Sequence, residues 1–365
     1  MTGPRSRPAG APTPGSDASA RPLLRATRAH PAVVFGAFAG LVVVVLAGTM
    51  IGAAELGAMA VARELLSGIP GIELDSGLSE RQQAILWQLR LPRVALGALV
   101  GAVLAISGAA YQGVFRNPLA DPYLLGVAAG AGLGATIGVV YGTGSLSGLV
   151  VPLLAFGGAL VGVSLTYVLG RAVTGVRSAT TLILAGVAVA AFLTAIQTYL
   201  QQQNADVLRE VWTWILGSLT RASWGQIGLL LPYTAVSVIA ILLHRRLLDV
   251  LAVGEEEART LGVRTGQVRL IVIVAASLGT AAAVAVSGLI GFVGIIVPHT
   301  VRLLAGTSYR VILPLSIVAG AAFLVLADLL ARTVASPAEL PIGVVTAFFG
   351  APFFAVVLRT SRRLT

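Results

Sequence analysis

Long apolar runs follow one another along almost the whole chain. Nine of them are about 20 residues long, enough to cross a bilayer as a helix. They lie near residues 32–52, 91–112, 123–141, 149–170, 180–200, 225–243, 268–289, 309–331 and 340–359. A tenth apolar segment, 290–305, is shorter and contains Pro298, so it is either a short span or a re-entrant piece buried in protein. The pattern predicts an all-α polytopic membrane protein with ten transmembrane helices.

The distribution of arginine predicts the orientation of these spans. With ten spans and the N-terminus inside, most of the 25 basic residues fall in cytoplasmic segments. The arginines that remain outside are those at positions 63, 81, 90, 93, 209, 221 and 332. Both termini of this multi-pass protein of the cytoplasmic membrane are therefore predicted to be cytoplasmic.

The N-terminal residues 1–30 differ from the rest of the chain. They are rich in Pro, Ala, Ser and Arg and have no apolar period, which predicts a disordered cytoplasmic tail. A cleaved signal peptide is the alternative, but the apolar run that follows has the length of a span rather than of a signal core. Residues 31–365 are then one membrane domain.

Composition supports this class and excludes several functions. The chain is 56% hydrophobic and 11% charged, with a mean hydropathy of +0.91. It has no cysteine, which excludes disulfides and thiolate metal sites, and every basic residue is arginine. Without lysine the chain cannot be a Walker-type ATPase by itself. The net charge of +10 follows from the topology, and we do not expect nucleic acid as a partner.

Two kinds of internal pattern concern packing and symmetry. Glycines spaced four apart, at 126, 130 and 134 and at 97 and 101, predict close helix contacts. In addition, the motif at 105–108, with Pro118 and Gly126 after it, recurs 180 residues later at 285–288 with Pro298 and Gly306. This recurrence predicts an inverted repeat of the kind found in transporters, with chance similarity as the alternative.

A few polar residues lie within or beside the apolar runs. Asp328 precedes Arg332 by four residues, so the two can form a neutralised pair on one helix face, or Asp328 can serve a proton relay. His299 has no acidic cluster nearby, which favours a hydrogen-bonded core or interface histidine over a metal ligand. Trp212, Trp214 and Trp224 fit an interfacial aromatic belt or the mouth of a substrate path.

The charged segment 254–269 separates two spans. Its sequence, GEEEARTLGVRTGQVR, predicts a short amphipathic helix followed by a glycine turn. On composition alone an ordinary solvated loop is an equally valid interpretation.

Three long motifs resemble a known family. RLPRVALGALVGAVLAISGAAYQGVFRNPLADPYLLGVAAGAGLGA (90–135), SGLIGFVGIIVPHTVRLL (287–304) and ELPIGVVTAFFGAPFF (339–354) are similar to the membrane permease subunits of ABC importers for iron-siderophore, haem and cobalamin. The resemblance implies the type II importer architecture, a dimer with a second permease subunit, two cytoplasmic ATPase subunits and an extracytoplasmic substrate-binding protein. It implies no cofactor and no enzymatic activity in this chain, since a separate subunit hydrolyses ATP.

The resemblance also implies roles for individual residues. Coupling to the ATPase is expected at Gly254, Glu255, Glu256, Glu257, Ala258, Leu261 and Gly262. Docking of the binding protein is expected at Arg90, Arg93 and Arg332, and the translocation pathway at Gly186, Leu193, Gly343 and Thr346. The expected cargo is a ferric siderophore, with haem or cobalamin as alternatives. A proton-coupled secondary transporter using Asp328 is the alternative from another class.

Overall fold

The computed structural model describes residues 30–52, 56–68, 71, 74–142, 147–174 and 179–361. The described part of the chain is helical, with no strand among these residues. In chain order the α-helices are α1 Pro31–Met50, α2 Ala58–Ser67, α3 Glu80–Ala84, α4 Leu91–Phe115, α5 Val127–Tyr141, α6 Ser147–Thr174, α7 Ala179–Gln203, α8 Leu208–Ile215, α9 Trp224–Leu243, α10 Arg245–Val253, α11 Glu255–Thr260, α12 Thr265–Ser287, α13 Val293–Ala305, α14 Tyr309–Thr333 and α15 Ile342–Ser361. A π-helix, Ile85–Arg90, leads into α4, and short 3-10 helices lie at Pro122–Leu125 and Ala205–Val207.

Three long helices, α4, α12 and α14, form the centre of the bundle. Most of the residues in each of them are buried, and α4 packs against both of the others. By contrast α1, α6, α7 and α9 expose large apolar side chains along one side. An apolar surface of this extent suits lipid or another apolar helix rather than water. Helices α1, α6 and α9 pack directly on the central three, whereas α7 packs against α5 and α6.

The predicted spans correspond to helices, with differences at their ends. Seven helices in the described residues are long and apolar enough to cross a membrane, and shorter apolar helices lie at α5, α13 and α15. The ambiguous segment 290–305 forms the 13-residue helix α13, which is largely buried against α4, α14 and α15. Ten apolar helices therefore stand where ten spans were expected, and the number of complete crossings stays a prediction. The predicted tail falls outside the described residues except for His30, which precedes α1.

The repeated motif does not occupy equivalent positions in the structure. Gly108 lies in the middle of α4, whereas Gly288 follows the last residue of α12 with a φ of 70°. The element order is nevertheless repeated, since α4 to α7 and α12 to α15 each run long helix, short helix, long helix, further helix. The short helices α5 and α13 both begin after a residue with left-handed backbone, Gly126 and Phe292. The 180-residue offset was wrong as a structural alignment, and the inverted repeat itself stays a prediction.

Close glycine contacts hold the helices together, as the spacing predicted. A Cβ added at Gly130 in α5 would overlap the backbone of Gly158 in α6, and one added at Gly101 in α4 would overlap the backbone of Gly320 in α14. Small residues at these crossings let the backbones approach, which is how membrane helices gain packing without a hydrophobic driving force.

Candidate functional site

The charged segment folds as a short helix closed by a glycine turn. Helix α11 ends at Thr260, and Gly262 then adopts a φ of 78°. The Gly262 N–H donates to the Arg259 carbonyl at 2.9 Å, and the Val263 N–H donates to the Ala258 carbonyl at 3.0 Å. These two bonds form a Schellman motif, in which a left-handed residue, usually glycine, ends a helix. The predicted helix and turn are confirmed.

Glu255 is partly exposed and ties α11 to α12 through ion pairs. Its carboxylate lies 2.8 Å from Nη2 of Arg259 and 3.2 Å from Nη2 of Arg269, whose side chain is buried. Burial by itself raises the pKa of Glu255, but hydrogen bonds and attraction from Arg269 and Arg259 outweigh burial and bring the pKa below its usual value. The first of the three consecutive acids therefore fixes α11 in place.

The remaining residues of this segment divide into an inner and an outer set. Ala258 is buried, and a Cβ added at Gly254 would overlap the carboxylate of Glu257. Glu256 and Glu257 are exposed, and Leu261 exposes 71% of its surface. Leu261 is thus a large apolar side chain exposed at the tip of a charged segment. We call the exposed residues Glu256, Glu257 and Leu261 the coupling surface.

The opposite end of the bundle contains the three arginines expected to dock a binding protein. Arg90 and Arg332 are both buried there. Nη1 of Arg90 donates to the carbonyls of Thr49 at 3.1 Å and Met50 at 2.8 Å, while Arg332 donates to the carbonyl of Gly48. Together they satisfy carbonyls at the C-terminal end of α1, where the helix dipole favours a cation. Neither side chain is displayed on the outer surface as the sequence had suggested.

Arg93 is the centre of an ion-pair cluster. It binds the buried Asp328 through Nε and Nη2, and its Nη1 and Nη2 donate to the two carboxylate oxygens of Glu339 at 3.0 and 2.9 Å. Arg332 Nε lies 3.5 Å from Asp328. The predicted Asp328–Arg332 pair is thus present, but Arg93 is the nearer partner. The pairing of Glu339 with Arg93 was not predicted, because 246 residues separate the two in the sequence.

The four residues expected on the translocation pathway all pack inside the subunit. In α7, Leu193 is buried and Gly186 abuts the backbone of Leu124. In α15, Thr346 is fully buried, and the Gly343 N–H donates to the Leu216 carbonyl at 3.0 Å.

The exposed faces of the same two helices carry different residues. They are large and apolar: Leu184, Val187 and Phe192 on α7, and Val344, Phe348 and Phe349 on α15. The predicted pathway residues therefore shape the helix packing behind these faces, and their place on the pathway stays a prediction.

The other polar candidates have ordinary surroundings. His299 packs edge-on against Phe353 with ring centroids 5.7 Å apart, and the described residues contain no cluster that could hold a metal ion. The predicted hydrogen bond of His299 is not found, because its Nδ1 is buried without a partner in the described residues. Trp212 and Trp224 are half exposed, as an interfacial belt requires. Trp214 lines a cavity of about 440 Å³ beside α8, together with polar residues such as Arg209, Glu210 and Arg221.

Comparison with known proteins gives a consistent result. The sequence matches the FecCD transport family over residues 40–360. It is 44% identical over 281 residues to the uncharacterized ABC transporter permease protein YvrB of Bacillus subtilis, covering 76% of this chain and 80% of that protein. It is 43% identical over 286 residues to the cobalamin import system permease protein BtuC of Halobacterium salinarum, covering 78% of this chain and 76% of that protein.

A solved structure agrees with these relatives. The fold matches an inward-facing conformation of a metal-chelate type ABC transporter with a TM-score of 0.78 and 29% sequence identity, covering 91% of this chain and all of that one. The family match includes the charged segment 254–269, which we call the coupling segment, as well as the Arg93 cluster, α7 and all but the last residue of α15. The chain is therefore a multi-pass membrane permease of an ABC importer and belongs to the FecCD transport family.

Proposed function

We propose that this permease moves a chelated metal compound inward, driven by two cytoplasmic ATPase subunits that bind the coupling surface. The observation that carries the proposal is the division of residues within α11 and its turn. Glu255 is held by Arg259 and Arg269, whereas Glu256, Glu257 and Leu261 are directed outward. A rigid helix with an exposed apolar tip and exposed acids suits a partner with an apolar pocket and basic rim.

Several contacts favour ATP over a proton gradient as the source of work. Asp328 is the acid within the described apolar helices, and both Arg93 and Arg332 lie within salt-bridge distance of it. The two guanidinium groups neutralise the carboxylate, and no second acid lies in the central helices α4, α12 and α14 to continue a proton relay. The proton-coupled alternative therefore has less support.

The relatives favour cobalamin as the cargo. BtuC of Halobacterium salinarum is named as a cobalamin permease, and the solved structure is described as a metal-chelate type transporter. A ferric siderophore, the cargo expected from the sequence, also fits the second description and is the second candidate. Both are bulky, so the path must form between subunits. We assign its walls to the exposed faces of α7 and α15 in a pair of permease subunits.

Docking of a substrate-binding protein belongs at the Arg93 end of the bundle. Arg93 and Glu339 retain partial exposure there, whereas Arg90 and Arg332 are engaged by α1. We therefore place the docking contact at Arg93 and Glu339.

The test is uptake into vesicles that contain the permease, its ATPase subunits and its binding protein. Uptake of radiolabelled cobalamin that requires ATP and persists with a protonophore supports the proposal. Uptake that a protonophore abolishes would contradict ATP coupling. ATP-dependent uptake of a ferric siderophore in place of cobalamin would change the cargo and leave the machinery intact.

A further inference from the structure

The start of α14 is capped by a carboxylate from another helix. Ser308, at the N-cap position, makes no side-chain hydrogen bond to its own helix. Instead Asp249 in α10 accepts a hydrogen bond from the Tyr309 N–H through Oδ1 and from the Ser308 hydroxyl through Oδ2 at 2.9 Å. Arg310 Nε lies 3.4 Å from the same carboxylate. A carboxylate is suited to this place because the first-turn N–H groups lack partners and the helix dipole is positive there.

Helix α10 is also the element that leads into the coupling helix. It ends at Val253, and α11 begins two residues later after Gly254. Leu248 and Leu251 anchor α10 in the core, with Leu248 against Gly113 of α4. Asp249 therefore joins the start of α14 to a helix that is continuous with the coupling segment.

Polar contacts continue from this point into the bundle. The Tyr309 hydroxyl lies within electrostatic range of Arg302, near the end of α13. Arg302 Nη2 donates to Gln112 Oε1 at 3.0 Å, and Gln112 Nε2 donates to the carbonyl of Gly294 at 3.1 Å. Gln112 of α4 thus contacts both ends of α13, and the C-terminal end of α13 also lies beside the start of α14. Because α13 packs against α15, a shift of α14 reaches a helix that we assign to the pathway.

We propose that Asp249 is a positioning residue that transmits movement of the coupling segment to α14 and α13. This inference rests on the proposed function, because the movement is the one imposed by the ATPase. The hydrogen bond to the Tyr309 N–H, with the contacts to Ser308 and Arg310, holds the start of α14 in a defined direction, whereas apolar contacts alone would let α10 slide past α14. Removing that bond should leave ATP hydrolysis running while less of the movement reaches the pathway.

The experiment measures cobalamin taken up per ATP hydrolysed in vesicles with the full complex. Asp249→Ala should keep the hydrolysis rate but lower this ratio about fivefold, the effect of losing a typical N-cap. Asp249→Asn should recover most of the ratio, because its amide oxygen still accepts from the Tyr309 N–H. The matched control is Asp75→Ala, an exposed acid whose carboxylate accepts from Gly77 in an outer loop, and it should behave as wild type.

Tyr309→Phe tests the next contact and retains the ring that packs on Gly113. Tyr309→Phe should also lower the amount of cobalamin taken up per ATP hydrolysed. It provides the test if Asp249→Ala cannot be recovered from membranes. A wild-type ratio in Asp249→Ala or Tyr309→Phe would overturn the inference, as would an equal loss in Asp249→Asn and Asp249→Ala. Wild-type vesicles without ATP-dependent uptake would instead contradict the proposed function, so the two failures are distinguishable.

Discussion

Gly262 offers a graded test of the coupling turn. Its φ of 78° lies in the left-handed region, and a Cβ added there would meet no atom within 4 Å. Alanine therefore adds backbone strain and no clash, at a cost of about 1–2 kcal/mol. Asparagine tolerates this conformation better, so Gly262→Asn should cost less. Proline cannot adopt it, and it also removes the N–H that donates to Arg259.

The assay is the affinity of purified permease for its ATPase subunits. If the native turn is the form that binds, Gly262→Asn permease should have an affinity near that of wild type. Gly262→Ala should weaken binding about fivefold, and Gly262→Pro should weaken it most. Insertion into the membrane should be unchanged in all three, because the turn lies outside the packed helices. Gly228→Ala is the control, since Gly228 also has open space but lies within α9. Equal affinities for the Ala and Pro variants and wild type would refute the reasoning, as would an equal loss in the control.

Three further predictions concern other parts of the molecule. Asp328→Ala should lower the free energy of unfolding in detergent by about 3 kcal/mol, because it leaves the charge of Arg93 buried without its partner. The double variant with Arg93→Ala should lose less than the sum of the losses in the two single variants, and strict additivity would contradict the ion pair. The depressed pKa of Glu255 means that its contribution is present above the usual carboxylate range and lost as pH falls through the folded pKa; the amide protection factors of 254–265, taken relative to the intrinsic exchange rate at each pH, should fall on acidification, and Glu255→Gln should abolish that fall. Because the chain has no cysteine, Phe348→Cys and Thr346→Cys each introduce a single thiol. A polar thiol reagent should label the exposed position 348 during transport and leave the buried position 346 unlabelled. Labelling at 346 and not at 348 would contradict our assignment of the pathway face.

The spans and the coupling helix could be predicted because their signals are local. An apolar run of span length has few other uses, and the helix at 255–260 followed by a glycine turn is specified within a few residues. The direction in which each acidic side chain points could not be predicted from the sequence. Glu255 pairs with Arg269, which lies beyond the turn, and no periodicity within α11 could show this pairing.

The roles of the outer arginines could not be predicted for the same reason. Arg90 caps carbonyls about 40 residues away, and Arg332 one that is 284 residues away, so their partners are set by the packing of α1. Asp249 is similar, because three helices, α11, α12 and α13, lie between it and the N-terminus that it caps. The four residues expected on the pathway lie on the packed sides of α7 and α15. Sequence does not give the rotation of a helix whose apolar faces can meet either protein or lipid.

The central claim is that the ATPase drives this permease through the coupling surface. The most direct measurement compares ATPase affinity for Leu261→Ala and Leu89→Ala permease. Both leucines are largely exposed, at 71% and 60%, but Leu89 lies at the opposite end of the bundle. We predict that Leu261→Ala weakens binding about tenfold, the effect of losing about 1.4 kcal/mol of apolar burial, while Leu89→Ala leaves it unchanged. Equal affinities for the two variants would contradict the claim.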